Sequence, residues 1–283
     1  MRVKATVHGA ISLVNAIATG KGATLGISTK AESTVSITDG TGIILTSKNK
    51  PMTSRLIQQV IKKIVPKHQL EKFKLHVNLE TDIPVGYGLK SSSAISSSVA
   101  LACSKIFKPN LSDSKIILTG VDASIETKVS LTGAYDDACG CFYGGFNVTD
   151  NYKRKLILRK NAPKDLNAII FIPNKRKRGK VKQLKDFAVI FEEAWMLAKN
   201  SDFWNAMILN GFTASTILKS EPKIISDMIR KGALGASVSG NGPAFAVVAN
   251  NKNSTTIKKA LSELNGNILI SKINNQRATV HEL

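Results

Sequence analysis

A strand that runs through a glycine- and serine-rich turn into a helix is the feature that most restricts the fold of this chain. Residues 73–79 alternate apolar and polar side chains, which is typical of a half-buried strand. The stretch PVGYGLKSSSA follows at residues 84–94, and the Ala- and Ser-rich residues 92–107 predict a helix. Because elements of regular structure flank it on both sides, we interpret the serine run as part of the fold and not as a linker.

The same stretch matches neither of the two common nucleotide-binding motifs. A Walker A loop needs G-x4-G-K-[ST], whereas Gly86 and Gly88 stand too close together, and Ser91 stands where a Rossmann motif needs its third glycine. Glycine nevertheless permits close backbone approach, and the N–H groups at the start of a helix attract anions. The residues alone therefore leave two interpretations open, an ordinary turn with a serine helix cap or a phosphate-binding loop.

The rest of the chain predicts a mixed α+β fold, because strands and helices alternate without a regular βαβ period. The first 45 residues are rich in Val, Ile, Thr and Gly and predict several short strands, with Asp39-Gly40 as a hairpin turn. The charged stretch 150–165 is a candidate domain boundary. Helices are predicted at 53–65, 112–128, 131–142, 181–199, 201–219 and 255–265, and further strands after Gly145, from 168 and at 267–273, where the last one finishes the chain.

The net charge of the chain is strongly positive. Lys and Arg number 40 against 20 Asp and Glu, which favours anionic partners. Lysines occur in nearly every segment, so we expect most of this charge to cover solvated surface. The densest basic run, residues 174–180, has no interleaved aromatic side chains on which bases could stack. We therefore expect a solvated loop there and no nucleic acid partner.

The cysteines and the apolar runs bear on the compartment. Cys139 and Cys141 lie two residues apart without a histidine cluster, so neither a disulfide framework nor a zinc site is expected. We therefore expect a reducing, cytoplasmic location. No apolar run reaches the roughly 18 residues that span a bilayer, so no membrane association is expected.

With two companion motifs, the 84–94 stretch resembles a known family. PVGYGLKSSSA is similar to the P-x3-G-L-x-S-S-x-A motif of the GHMP kinase superfamily, which contains galacto-, homoserine, mevalonate and phosphomevalonate kinases. Residues 235–246, GASVSGNGPAFA, resemble its C-terminal glycine turn, with one residue fewer after the proline. Asp137 lies seven residues before a Gly-Gly pair and Glu126 eleven residues before Asp137, the spacings of an aspartate and a magnesium ligand in mevalonate kinases.

The N-terminal segment narrows this resemblance to one branch. Residues 7–27 lack the P-G-K and G-E-H elements of mevalonate kinases and are similar to the opening of archaeal-type shikimate kinases. The resemblance implies a two-domain GHMP kinase architecture, with an ATP-binding N-terminal domain like domain 2 of ribosomal protein S5 at 1–160 and a ferredoxin-like C-terminal domain at 161–283. It further implies that the chain is an enzyme of aromatic amino acid biosynthesis, which phosphorylates shikimate to shikimate 3-phosphate with ATP and Mg²⁺.

The resemblance also implies roles for single residues. Asp137 is expected to be the catalytic base, and Ser92 and Glu126 are expected to hold Mg²⁺. Shikimate carries a carboxylate and three hydroxyls, and the candidate residues for binding it are His8, Ser12, Asn15 and Lys21. The nucleotide is expected at Pro84, Val85, Gly86, Tyr87, Gly88, Leu89, Lys90, Ser91, Ser92, Ser93, Ala94, Gly240 and Gly242.

Two residues near this set are ambiguous. On a helix, Asp136 and Asp137 point about 100° apart, so only one is expected to face the site, and we interpret Asp136 as a capping or solvated residue. Lys90 is compatible with a place beside the phosphates or with a solvent-facing place. No lysine is identified as the partner of Asp137, since Lys4 lies near the right place without the surrounding motif.

Two other functions compete with shikimate phosphorylation. One is another GHMP kinase, homoserine kinase first and then a mevalonate-pathway kinase, although homoserine kinases lack an aspartate at the place of Asp137. The other is a basic RNA-binding protein that uses an S5-like domain and the 174–180 run, for which neither Glu126 nor Asp137 would be needed.

Overall fold

The chain folds into two sheets with helices packed against them, which confirms the predicted α+β class. The computed structural model describes residues 1–48, 54–130, 132–174 and 179–283. Within these ranges, no helix combines the length and the apolar character that a membrane crossing requires. Most of the basic run at 174–180 lies outside the described residues.

Two long strands form the centre of the first sheet. β1 (Arg2–Val14) pairs antiparallel with β2 (Lys21–Asp39), and the register shifts after His8 and after Ser12. β1 alternates buried and half-exposed residues up to His8 and is buried throughout after it. The prediction of several short strands is wrong for residues 2–39, because Gly9, Gly22 and Gly26 lie inside the paired ladder and do not end the strands.

The neighbours of β2 differ from the predicted ones. β3 (Ile43–Ser47) pairs in parallel with β4 (Phe73–Thr81), and β4 lies between β2 and β3. The connection contains α1 (Ser54–Ile64), whose apolar residues are buried, and the short α2 (Lys67–Lys72). The hairpin predicted at Asp39-Gly40 is therefore wrong: the chain turns there, but β4 takes the place beside β2 after the chain has crossed over through α1.

Helices that pack on the first sheet follow the turn after β4. α3 (Ser91–Phe107) contacts β1 and β2 and is buried along most of its length, because its Ala and Ser side chains allow close packing. α4 (Asp113–Glu126) packs on α1 and α3, and α5 (Tyr135–Tyr143) packs on β1 and β2. The predicted strand–turn–helix junction at 84–94 is confirmed.

The charged stretch 150–165 contains one strand of the first sheet and follows directly on another. β5 (Phe146–Asp150) pairs with the beginning of β2, and β6 (Lys155–Lys160) pairs with β5. The second, antiparallel sheet begins only after this pair. Its strands are β7 (Leu166–Pro173), β8 (Gly235–Val238), β9 (Phe245–Asn250) and β10 (Gly266–Lys272). They follow the order β10-β7-β9-β8 in the sheet.

The helices of the second half lie between these strands in the sequence. A 3-10 helix (Val181–Phe187) and α6 (Ala188–Lys199) occupy the region predicted as one helix at 181–199. The remaining helices are α7 (Phe203–Ile217), α8 (Pro222–Arg230) and α9 (Asn251–Ser262).

The last strand returns to the first sheet. β11 (Thr279–Glu282) pairs antiparallel with β1, so the prediction that a strand at 267–273 finishes the chain is wrong. One apolar core also runs from Val3 in the first sheet to Ile170 in the second. The division at 160/161 stays a prediction, and a cut at that point would leave β11 on the side of the second sheet.

Candidate active site

The turn between β4 and α3 adopts a conformation that requires glycine. Gly86 and Gly88 have φ angles of 82° and 83°, and Lys90, the N-cap of α3, has a left-handed φ of 65°. A Cβ atom on Gly88 would lie 1.9 Å from the carbonyl oxygen of Ser239, so the backbones meet too closely for any other residue. Among the described residues, no side chain caps α3. The first-turn N–H groups are thus available to a ligand, which favours the phosphate-loop interpretation over the capped turn.

The glycine turn after β8 forms the facing wall. The hydroxyl of Ser239 donates a 2.8 Å hydrogen bond to the carbonyl oxygen of Gly88. Ser12 Oγ accepts a 3.0 Å hydrogen bond from the N–H of Gly240, and Asn15 Nδ2 donates a 2.9 Å bond to the carbonyl oxygen of Gly240. Side chains from the end of β1 therefore join the two glycine-containing turns, which lie far apart in the sequence.

An ion pair between a buried lysine and a largely buried aspartate lies between these walls. Lys90 Nζ lies 2.7 Å from Asp137 Oδ1 and donates a 2.7 Å hydrogen bond to Ser12 Oγ. The contact with Asp137 has the distance of an ion pair without the alignment of a hydrogen bond. Burial alone would lower the pKa of Lys90, but the charges of Asp137 and Asp136 outweigh it and raise that pKa above its ordinary value. The solvent-facing alternative for Lys90 is wrong, and Lys90 is the cation beside Asp137 that the sequence did not reveal.

Asp136 is also part of the buried wall. It is only 4% exposed, its Oδ1 accepts a 2.7 Å hydrogen bond from Asn151 Nδ2, and its backbone N–H donates a 3.0 Å bond to Asn151 Oδ1. Burial and then the charge of Asp137 raise the pKa of Asp136 to about 7. The interpretation of Asp136 as a capping or solvated residue is therefore wrong. Both carboxylates line one cavity, because the first turn of α5 forms part of its wall.

These elements enclose a cavity of about 390 Å³, which lies in the range of small-molecule sites. Most of the predicted site residues in the two turns and at the end of β1 contribute to its lining. The cavity brings together Ser12, Asn15, Gly86, Gly88, Lys90, Ser91, Ser92, Ser93, Asp137, Gly240 and Gly242. Of the predicted nucleotide residues, Pro84, Val85, Tyr87, Leu89 and Ala94 belong to the same segment without lining the cavity, and Leu89 and Ala94 are buried in the core.

Glu126 lies outside the cavity lining. It ends α4 and forms an ion pair with Lys63 at 2.6 Å and accepts a 2.5 Å hydrogen bond from Gln59, both on α1. Its side chain is 46% exposed. The hydrogen bond from Lys63, followed by the one from Gln59, lowers the pKa of Glu126. Ser124 and Ser130, which flank Glu126 in the sequence, do line the cavity.

Two of the four candidate substrate residues also lie elsewhere. Lys21 forms an ion pair with Glu192, and its ammonium lies 4.8 Å from the centroid of the Trp195 ring. His8 lies beside the bulge between β1 and β2, where burial and then the charge of Lys30 lower its pKa. Neither residue lines the cavity, whereas Ser12 and Asn15 do.

Sequence reasoning missed the buried amides that support the site. Asn210 Oδ1 accepts a 2.8 Å hydrogen bond from the N–H of Asn15, and Asn210 Nδ2 donates one to Ser237 Oγ at 2.8 Å. Asn151 fixes Asp136 in a similar way. The sequence contains only a weak sign of Asn210, which is one polar residue inside the apolar helix segment MILNGF. An amide buried at such a position needs hydrogen-bond partners.

Comparison with known proteins identifies the family. Residues 55–145 match the family described as GHMP kinases N terminal domain. A curated shikimate kinase of Methanothermobacter thermautotrophicus is 32% identical over the full length of both chains, and that of Pyrococcus furiosus is 36% identical over 84% of this chain and 88% of its own. This chain belongs to the GHMP kinase family. The predicted membership of this family is confirmed.

Solved structures of other GHMP kinases share the fold. The mevalonate kinase of Methanococcus jannaschii superposes with a TM-score of 0.75 at 19% identity, covering 97% of this chain and 98% of its own. The homoserine kinase of Cytophaga hutchinsonii superposes with a TM-score of 0.76 at 17% identity, covering 99% and 97%. The expected GHMP kinase architecture is thereby confirmed.

Proposed function

We propose that this GHMP kinase transfers the γ-phosphoryl group of ATP to shikimate and forms ADP and shikimate 3-phosphate. One observation carries the proposal: curated archaeal shikimate kinases match the chain over nearly its whole length at 30% identity or more. Homoserine and mevalonate kinases share the fold at 17% and 19% identity, which gives no support for their substrates here. ATP as the phosphoryl donor follows from membership of a kinase family.

The phosphates of ATP are assigned to the space between the two glycine turns. The uncapped first turn of α3 offers N–H groups and the positive end of the helix dipole, beside the hydroxyls of Ser91, Ser92 and Ser93. Gly240 and Gly242, with φ angles of 58° and 68°, leave the facing backbone free of Cβ atoms. An anion held there is positioned without any dedicated lysine from a Walker A motif.

The residues present fit Mg²⁺ in part. Mg²⁺ prefers oxygen ligands and usually takes one or two from the protein while keeping waters and phosphate oxygens. Ser92 offers a hydroxyl at the cavity wall, whereas Glu126 would first have to leave Lys63 and Gln59. Among the described residues there is no cluster of three or more His, Cys, Asp or Glu that would hold a metal alone. Bound with ATP, Mg²⁺ would neutralise charge on the phosphate oxygens.

Asp137 is assigned as the general base. Its carboxylate lies in the cavity wall, and Lys90 holds it in one place through their ion pair. The substrate hydroxyl oxygen forms a bond to the γ-phosphorus, the bond from that phosphorus to the β–γ bridging oxygen breaks, and ADP leaves with this oxygen. The hydroxyl proton passes to Asp137. Ser12 and Asn15, near the same pair, are the candidates for orienting the hydroxyls of the substrate.

An acceptor panel tests this proposal. Release of ADP is measured with ATP, Mg²⁺ and, one at a time, shikimate, homoserine, mevalonate and galactose. We expect turnover with shikimate and none with the others. Turnover with homoserine alone would contradict the proposal, and so would salt-sensitive binding of RNA without any kinase activity, the outcome expected of a basic RNA-binding protein.

A further inference from the structure

Asp136 is a buried carboxyl group without a counter-ion. In the part of the chain that the structure describes, no lysine or arginine nitrogen lies within 4.0 Å of it, although its neighbour Asp137 has Lys90 at 2.7 Å. Its polar side-chain partner is the neutral amide of Asn151. Burying an unpaired carboxylate is costly, and such a group takes up a proton instead.

The surrounding residues fix Asp136 in this place. Asn151 Oδ1 accepts hydrogen bonds from the hydroxyl of Thr149 at 2.8 Å and from the backbone N–H of Asp136, so its Nδ2 must be the atom that donates to Asp136 Oδ1. A Cβ atom on Gly22 would lie 2.4 Å from Asp136 Oδ2. Gly22 therefore leaves the space that the carboxyl group occupies, and Asn151 sets its orientation.

The charges of the cavity wall connect the protonation state of Asp136 to Asp137, the proposed general base. Two adjacent carboxyl groups face one buried ammonium group, that of Lys90, whose contacts go to Asp137 and Ser12. If both carboxyl groups were ionised, they would repel each other and compete for Lys90. If Asp136 holds a proton, Lys90 stays with Asp137.

We propose that Asp136 is a positioning residue for the phosphoryl transfer: held by Asn151 beside the Lys90–Asp137 pair, it carries the proton of this three-group cluster and so keeps Lys90 for the base. The inference rests on the proposed function. It assigns no contact with substrate to Asp136, which acts through Lys90 and Asp137.

The charges around Asp136 predict a pH dependence. Burial and Asp137 raise its pKa, and Lys90 and the Asn151 hydrogen bond lower it, with a balance at about 7. From α5, the thiols of Cys139 and Cys141 also face it, and burial raises their pKa values well above the ordinary range. Thr24 of β2 and Thr149 of β5 present neutral groups. Above about pH 7, Asp136 therefore loses its proton and competes for Lys90.

Substitution by asparagine tests the proposal, because asparagine has the shape of a protonated aspartate and does not titrate. The pH profiles of kcat and KM for shikimate are measured for wild type, Asp136→Asn and Asn151→Ala, with Asp122→Asn, which pairs with Arg154 on the surface, as the matched control. For wild type and control we expect kcat to fall by about tenfold per pH unit above the step near 7. Asp136→Asn should keep kcat within about threefold at pH 6 and lose this alkaline fall.

The second variant gives a directional check. Asn151→Ala removes a hydrogen bond that lowers the pKa of Asp136, so the alkaline fall should move to higher pH. An Asp136→Asn enzyme that is folded but inactive at every pH would overturn the proposal, because the ionised carboxylate would then be required. Identical pH profiles in wild type and Asp136→Asn would overturn it as well.

A measurement without substrate separates this inference from the proposed function. In protein labelled with ¹³C at the aspartate side-chain carboxyl carbon, the signal that disappears in Asp136→Asn should titrate near pH 7. A titration of that signal below pH 5 would overturn the inference. If wild type fails to phosphorylate shikimate while this signal titrates near 7, the substrate assignment fails and the protonated Asp136 stands.

Discussion

Two lysine–carboxylate pairs in this chain have nearly the same nitrogen–oxygen distance and different surroundings. Lys90 and Asp137 approach to 2.7 Å with side chains that are 5% and 19% exposed, whereas Lys63 and Glu126 approach to 2.6 Å with side chains that are 27% and 46% exposed. Water screens the second pair, and exposed pairs of this kind contribute little to stability. The first pair is desolvated in a cavity wall, where its field acts on whatever binds there.

The difference shows that burial and neighbours, and not the ion-pair distance, distinguish a pair in the cavity wall from surface charge. The spacing of Asp137 from the Gly-Gly pair, and of Glu126 from Asp137, predicted a role in the site for both residues. Of these two residues, only Asp137 lines the cavity, because the first turn of α5 forms part of the cavity wall while the end of α4 faces α1. Variants of the two pairs therefore offer matched tests.

Asp137→Asn should have the largest effect. It keeps the size of the side chain and removes the proposed general base, so kcat should fall about 1,000-fold, within the usual range for loss of a general base. Calorimetric titration with a non-hydrolysable ATP analogue should show unchanged nucleotide affinity. Asp122→Asn is the control, and an Asp137→Asn enzyme that turns over like this control would refute the base assignment.

Removal of Lys90 should destabilise the fold. Lys90→Met leaves the carboxylate of Asp137, which is 19% exposed, without its partner. Loss of one partner of a fully buried pair typically costs about 3–5 kcal/mol, and this partly exposed carboxylate should cost less, about 2 kcal/mol. Lys63→Met removes the cation of the exposed pair and should leave the urea unfolding midpoint near that of wild type. Urea unfolding of both variants, followed by circular dichroism, makes the comparison. Equal midpoints for the two variants would mean that burial of the Lys90 pair has no energetic consequence.

The raised pKa of Asp136 should make the free energy of unfolding depend on pH. The pKa of Asp136 is 3.8 in the unfolded chain and about 7 in the folded protein. Its contribution to the free energy of unfolding is therefore fully present only below about pH 3.8. This contribution is lost as pH rises to about 7, with a slope of up to about 1.4 kcal/mol per pH unit. The difference in free energy of unfolding between wild type and Asp136→Asn should therefore move in favour of the variant from pH 4 to pH 7. A constant difference over this range would contradict the raised pKa.

Glu126→Gln tests the proposed metal ligand. If Glu126 leaves Lys63 and completes the coordination of Mg²⁺, the variant should need about tenfold more Mg²⁺ for half-maximal turnover, and excess Mg²⁺ should restore kcat. Lys63→Met, which frees Glu126, should not raise the Mg²⁺ requirement. If Glu126→Gln shows the Mg²⁺ dependence of wild type, Glu126 belongs to the α1–α4 surface and not to the site.

The sequence predicts those parts of the fold that local patterns determine. The alternation before Pro84, the two glycines and the small residues of α3 specify strand, turn and helix within about 35 residues, and the structure agrees. The hairpin at Asp39-Gly40 was predicted wrongly because the pairing partner of β2 depends on the path of the chain through α1. The chain crosses over through α1 before β4 pairs with β2. The return of β11 to β1 is a long-range pairing that no local pattern shows.

The candidate site divides in the same way. Motif spacing pointed to Ser92 and Asp137, because these residues sit at the starts of helices that the pattern defines. The partnership of Lys90 with Asp137 and of Asp136 with Asn151 could not be predicted, since each joins segments whose approach depends on the packing of several elements. A helix turn also suggested that one of two consecutive aspartates must face solvent, which fails where the cavity wall surrounds that turn.

The most direct test is the product formed at the buried pair. Wild type and Asp137→Asn are each incubated with ATP, Mg²⁺ and shikimate, and the phosphorus products are identified by ³¹P NMR. We predict ADP and one shikimate monophosphate in equal amounts from wild type, and about 1,000-fold less of both from Asp137→Asn in the same time. Absence of shikimate phosphate from wild type, or its formation at the wild-type rate by Asp137→Asn, would contradict the account.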